Sequence, residues 1–198
     1  MRDTRDRILT AAAALIAEKG YKRTSVDDVI ERADLSGKSH FYHYFRSKEE
    51  LGLEVLGRQF ERFAERGLVI LREPMIDPLE RLHLFIDSLV ALQSERGFRV
   101  GSPFGNLASE MADLHEGFRE RLVHVFDRWA SQLNALLWEA RPQLIDDVDT
   151  QRLARFTIAT LEGALMMSKV NRDAEMLRGI AADLKRFLAS HTKDRVTA

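Results

Sequence analysis

Apolar positions recur along this chain at steps of three and four, and the runs break where helix-end chemistry also occurs. Ile8, Ala12, Leu15 and Ile16 share one face of a predicted helix from Thr4 to Lys19, which Gly20 stops. A second helix is expected to open at Thr24 or Ser25, with Asp27 or Asp28 complementing its dipole and Val26, Val29, Ile30 and Ala33 turned inward. Leu35-Ser36-Gly37 interrupts that stripe, and a short third helix is expected from Lys38 to Tyr44. Ser47-Lys48-Glu49-Glu50 has the form of a capping box, opening a fourth helix that runs through Leu51, Val55, Leu56, Phe60 and Phe63 as far as Leu71. Pro74 and Pro78 mark a joint, and Asp77 before Pro78 caps a fifth helix with Leu82, Phe85, Ile86, Leu89 and Val90 inward. After a loop from Gly97 to Gly101, Ser102-Pro103 opens a short sixth helix that buries Leu107, Ala108 and Met111. The seventh carries Phe118, Leu122, Phe126, Trp129, Leu133, Leu136 and Ala140 and stops at Pro142. An eighth spans Thr150 to Val170, and Asp173 caps a ninth with the stripe Leu177, Ile180, Ala181, Leu184, Phe187 and Leu188. Strand-like alternation is scarce, so the expected fold class is all-α with about nine helices.

Composition narrows the picture by exclusion. A chain of 198 residues is long enough to bury a real core, as one domain or two small ones. The formal charge of -1 does not advertise a polyanionic partner, and residues 1–50 hold ten basic against nine acidic side chains. Any basic footprint must therefore come from placement on one face. The absence of cysteine excludes disulfides, thiol nucleophiles and cysteine-based zinc sites, and fits a reducing cytoplasm, the location expected here. The longest apolar stretch, Ala11 to Ala17, is too short to span a bilayer, and the charged N-terminus lacks an export pattern, so no membrane partner is expected.

One stretch stands apart. "SGKSHFYHYFRSKEEL", Ser36 to Leu51, holds six consecutive ring side chains and two of the chain's three tyrosines. Helix two, a glycine-containing turn and helix three form a helix-turn-helix candidate, in which the later helix enters the major groove of DNA. Phe41 and Phe45 stand four apart and share the face that packs inward, while Lys38, Ser39, His40 and His43 fall on the other side. Tyr42 and Tyr44 can bury ring carbon and still offer a hydroxyl to phosphate, and Lys48 sits in the first turn of helix four, where backbone N–H groups attract phosphate. With the hydroxyls of Thr24 and Ser25 these complete the candidate DNA contacts. From spacing alone, a short helix with two phenylalanines reads equally as plain core.

The stretch from Arg5 to Phe63 resembles the DNA-binding domain of the TetR family of bacterial transcriptional regulators. The likeness rests on a first helix ending in Lys19-Gly20-Tyr21, then "TSVDDVIERADLS", then "FYHYFRSKEEL", in that order. Against the family pattern the chain has about one extra residue between Ala33 and Tyr42, which leaves open which of Lys38, Ser39 and His40 touches bases. "GSPFGNLASEMAD" and "LEGALMMSK" resemble segments of some subgroups, in which a cysteine often stands where this chain has Ser102. The resemblance implies a helix-turn-helix domain over residues 1–64, linked by the fourth helix to a helical ligand-sensing and dimerisation domain over residues 65–198. It implies a ligand-responsive regulator, most simply a repressor that binds a palindromic double-stranded DNA operator as a dimer and is released by a small molecule. An activator of the same fold is the alternative.

Phe85, Leu89, Leu107, Met111, Phe126, Trp129, Leu133 and Phe156 fit either an apolar effector pocket or solid core, with Thr160 a polar position beside them. Thr157, Ser168 and Asn171 on helix eight either orient a ligand or face solvent. Gly163-Ala164 in helix eight and the apolar stripe of helix nine, flanked by Arg178, Lys185 and Arg186, suit a two-fold homodimer interface or internal packing. An enzymatic alternative, a di-metal carboxylate bundle, needs paired Glu-x-x-His motifs; Glu80-x-x-His83 occurs once. No catalytic residue, metal or cofactor is expected.

Overall fold

The computed structural model describes residues 4–193. Among them are nine α-helices: α1 (Thr4–Lys19), α2 (Val26–Arg32), α3 (Lys38–Tyr44), α4 (Lys48–Arg66), α5 (Pro78–Glu95), α6 (Pro103–Met111), α7 (Glu116–Glu139), α8 (Thr150–Asn171) and α9 (Ala174–Ala189). Two 3-10 helices, Leu68–Arg72 and Arg141–Gln143, complete the order. The caps are those that local chemistry favours. Ser25 and Asp28 form a reciprocal capping box on α2, and Asp77, Asp149 and Asp173 accept from backbone N–H groups at the starts of α5, α8 and α9. The box at α4 is displaced by one residue. Ser47 accepts from the Glu50 N–H at 3.1 Å, but the Glu50 carboxylate accepts from the Arg46 N–H at 2.6 Å.

Helix α4 stops at Arg66, five residues short of the expected Leu71. The 3-10 turn that follows has three residues per turn, so Leu68 and Leu71, three apart, both reach the core. The buried Arg81 guanidinium then donates to the Leu71 carbonyl at 3.1 Å and to the Glu139 carboxylate. Arg81 stands four residues from Phe85 on the core stripe of α5, and it is the one charged residue buried there.

The chain divides into two compact units: the described residues up to Glu61 with Pro103–Val123, and Arg62–Ser102 with the described residues from His124. This differs from the expected linear division after residue 64, because α6 and the first turns of α7 group with α1 to α4. Their packing gives the reason. Tyr21 lies 4.9 Å from Phe118 and Phe60 lies 6.0 Å from Phe104, centroid to centroid. Gly52 lets α4 approach closely, since an added Cβ would stand 2.4 Å from Tyr21 Cε2 and 2.8 Å from Phe118 Cζ.

In the first unit α1, α2 and α3 pack in sequence around Ile8, Leu9, Ala12, Leu15, Val29, Phe41, Phe45, Leu51 and Val55. In the second, α9 packs on α5 and α8, with Phe98, Leu165 and Leu177 in a shared core.

The turn between α2 and α3 is specified by backbone. Leu35 N–H reaches the Ile30 carbonyl at 3.0 Å and Asp34 N–H the Glu31 carbonyl at 3.1 Å, a Schellman pattern with Asp34 left-handed at φ 52°. Gly37 then precedes α3 at φ 149° and ψ -173°, a region essentially confined to glycine. Open space surrounds its missing Cβ, so Gly37→Ala isolates backbone strain. It is expected to cost about 1–3 kcal/mol in a urea unfolding titration; an unchanged midpoint would show that the turn relaxes freely.

Candidate nucleic-acid interface

Helix α3 has seven residues, too few to hold its shape alone in water. Phe41 and Phe45 are fully buried, with ring centroids 6.0 Å apart, and the Arg5 guanidinium lies 5.2 Å from the Phe45 ring centre. These two side chains fix which face of α3 is left outside. That face carries Lys38, Ser39, Tyr42 and His43, all exposed, with Tyr42 at 51 %. His40 and Tyr44 are half-buried. The His40 Nδ1 stands 3.3 Å from the Ser36 hydroxyl, and its ring lies 5.8 Å from that of Tyr44. Lys38 Nζ pairs with Asp27 of α2 at 3.3 Å, an exposed contact that a phosphate or a base edge can replace at little cost.

The hydroxyls at the start of α2 are placed differently from each other. Ser25 is exposed and bound to its capping box, whereas Thr24 is buried and its hydroxyl donates to the Gly20 carbonyl at 2.8 Å. Thr24 is thus a structural clasp on the end of α1 rather than an outward group, because a buried hydroxyl takes the nearest free carbonyl. Lys19, which donates to Asp28 at 2.8 Å, holds that carboxyl well below the usual range, helped by the Ser25 N–H and hydroxyl. This support of α2 is present above the ordinary carboxylate range and is lost as pH falls towards the folded value.

Lys48 has work inside the protein. Its Nζ stands 4.4 Å from the Tyr21 ring centre and donates to the Lys22 carbonyl at 3.3 Å, and burial pushes its pKa down. Burial pushes the Tyr21 hydroxyl up to about 12, with Glu49 adding to the effect. The Glu110 carboxylate on α6 accepts the Lys22 N–H at 3.0 Å. Sequence reasoning passed over three exposed cations of this unit, Lys22, Arg23 and Arg46. Their position just before the α2 cap and just after the ring run was the available signal.

The candidate effector residues separate. Phe85, Leu89, Trp129 and Leu133 are buried in the second unit, where Phe126 and Thr160 are half-buried. Leu107 and Met111 are buried on α6, in the first unit. Phe156 corrects the expectation: it is exposed, its ring 4.6 Å from that of Phe187 on α9. Thr157 and Ser168 are buried with hydroxyls donating to Leu153 and Leu165 carbonyls, and exposed Asn171 donates to the Met167 carbonyl. His83, of the single Glu-x-x-His, has its pKa lowered by burial and then by Lys185, a cationic neighbour that opposes a metal. No described helix is long and apolar enough to cross a membrane.

Comparison with known proteins agrees with this geometry. Residues 8–55 match the family model "Bacterial regulatory proteins, tetR family", and residues 78–183 match "Transcriptional regulator LmrA/YxaF-like, C-terminal domain". An uncharacterised HTH-type transcriptional regulator of Lactococcus lactis is 32% identical over 89% of both chains. The HTH-type transcriptional repressor DhaR of a Mycobacterium species is 25% identical over 87% of this chain and 86% of its own. The crystal structure of a TetR transcriptional regulator from Chloroflexus aurantiacus superposes with a TM-score of 0.86 at 30% identity, over 96% of each chain. The chain belongs to the TetR family, and it is a DNA-binding, ligand-responsive transcriptional regulator.

Proposed function

We propose that the protein is a homodimeric repressor whose two α3 helices read successive major grooves of a near-palindromic operator. The outward face of α3, fixed by buried Phe41 and Phe45, carries this reading. Lys38, Ser39, His40, Tyr42 and His43 approach base edges and phosphates. Lys22, Arg46, Tyr44 and the α4 start at Lys48 lie along the backbone, with Ser25 at the α2 terminus. Two such helices related by a dyad must stand roughly 34–36 Å apart to engage one face of a duplex. An apolar small molecule bound among the C-terminal helices releases the operator if it binds a conformer with another spacing more tightly than the DNA-competent one. The hydrogen bond from Lys22 N–H to Glu110 supports a route for that change, since α6 is tied directly to the turn that carries α2. The repressor sense follows the name borne by the relative DhaR.

Selection of bound fragments from random duplexes is the direct test, and an enriched inverted repeat is the expected result. Alanine at Lys38, Ser39 or Tyr42 is expected to change the selected sequence. Arg46→Ala is expected instead to weaken binding to every duplex and to lower the slope of log affinity against log salt by about 0.9. Enrichment of no motif, or identical motifs from all three α3 variants, would remove base reading from this surface.

A further inference from the structure

Resting on the effector-released regulator just described, we infer that its effector carries a neutral hydrogen-bond acceptor, a carbonyl group, on a flat apolar frame, and that the Trp129 indole N–H donates to it. Trp129 is 1 % exposed, and among the described residues its Nε1 has no hydrogen-bond acceptor. Three rings lie beside it in the second unit. Phe63 lies 4.9 Å away and Phe85 6.2 Å away, both steeply inclined, and Phe126 lies 6.5 Å away with its plane only 16° from parallel. Phe63 and Phe85 are in turn 6.1 Å apart.

A buried donor without a partner is uncommon and costly, so it calls for an explanation. A phenylalanine would avoid the cost if packing were the only demand. A held water needs two to four polar groups, and Phe63, Phe85 and Phe126 supply none of that quality. A carboxylate is a poor partner too, since removing its charge from water costs far more than one N–H returns. A ketone, ester or amide oxygen on an apolar body satisfies both demands. A flat frame suits a site bordered by Phe63, Phe85 and Phe126, since a planar body packs well on aromatic side chains.

The test uses the full-length protein and two probes of nearly one shape, acetophenone and ethylbenzene, which differ in the carbonyl. Calorimetric titration is expected to show acetophenone binding at least about fivefold more tightly, the worth of one neutral hydrogen bond. The preference is expected to vanish in Trp129→Phe and to persist in Trp138→Phe, whose indole is exposed on the same helix. An independent readout needs no change at Trp129. In Trp138→Phe the remaining indole N–H proton resonance is expected to move downfield with acetophenone and to stay in place with ethylbenzene. Equal affinities, a preference that survives Trp129→Phe, an unmoved resonance, or no binding of either probe up to its solubility would each overturn the inference. Duplex selection on the same preparation separates the two levels. Motif enrichment without carbonyl preference sinks this inference alone, whereas no duplex binding sinks the regulator reading beneath it.

Discussion

Phe41→Ala is expected to lower the unfolding free energy of the DNA-reading unit by about 3–5 kcal/mol, the usual cost of truncating a fully buried phenylalanine. The site cannot easily collapse around the void. Phe41 contacts Phe45, the residue that ends its helix, and the core it enters is closed by Ile8, Leu9, Ala12 and Val29 from α1 and α2. A seven-residue helix has no stability of its own to fall back on. Losing the anchor therefore costs stability and also frees α3 from its fixed angle. Operator affinity should fall with stability, because only the fraction of molecules with α3 in place is competent. Tyr42→Ala supplies the contrast. Tyr42 is the next residue but half exposed, so its loss should weaken binding while leaving the unfolding midpoint within about 0.5 kcal/mol of the parent. Urea unfolding with hydrogen exchange at α3 distinguishes the two outcomes. A loss under about 1 kcal/mol for Phe41→Ala would mean that the ring does not hold the reading face.

Much of this architecture was written in local chemistry. The stops and starts of α1, α2, α3, α5, α8 and α9 follow from Gly20, Ser25, Gly37, Asp77, Asp149 and Asp173, each acting within one turn of itself. What escaped had non-local or ambiguous causes. The end of α4 escapes the pattern because Leu68 and Leu71 are three apart, a spacing that α and 3-10 helices share. Asp34 terminates α2 in a left-handed conformation usually given to glycine, so the Schellman turn left no glycine to find. The sequence offers Thr24 as an outward hydroxyl, and only the path of the chain shows that the Gly20 carbonyl claims it. Arg81 sits on an apolar stripe, and nothing in the spacing reveals that Leu71 and Glu139 wait for its guanidinium. On α8 two apolar stripes compete. Leu153, Ile158, Leu161 and Leu165 point inward, while Phe156, Met166, Met167 and Val170 lie outside. Periodicity identifies both stripes and cannot choose between them, so the pattern places Phe156 in an interior it does not line.

That outer stripe carries the second large expectation, on the proposal that α8 and α9 form the dimer contact. Met166→Lys combined with Val170→Lys is expected to leave the folded chain nearly unchanged and to separate the dimer. In the isolated chain Met166 is 59 % and Val170 76 % exposed, so neither loses much packing, and cations near the C-terminal end of α8 suit its dipole. Across a two-fold contact each substitution is made twice, and taking the new ammonium groups out of water carries a desolvation cost. Gly163 and Gly179, where an added Cβ would meet nothing within 4 Å, suit close approach of a second copy's helices to this surface. Light scattering should then give the mass of a single chain at concentrations where the parent is a dimer. Binding to the selected palindrome should weaken by about 100-fold or more, since a lone chain forfeits the effective concentration that a linked second reader provides. Binding to one half-site should persist, because α3 and its phenylalanine anchors are untouched. A double variant that stays dimeric, or a parent that is a single chain while still gripping its palindrome, would move the interface elsewhere and leave the outer stripe of α8 to another partner.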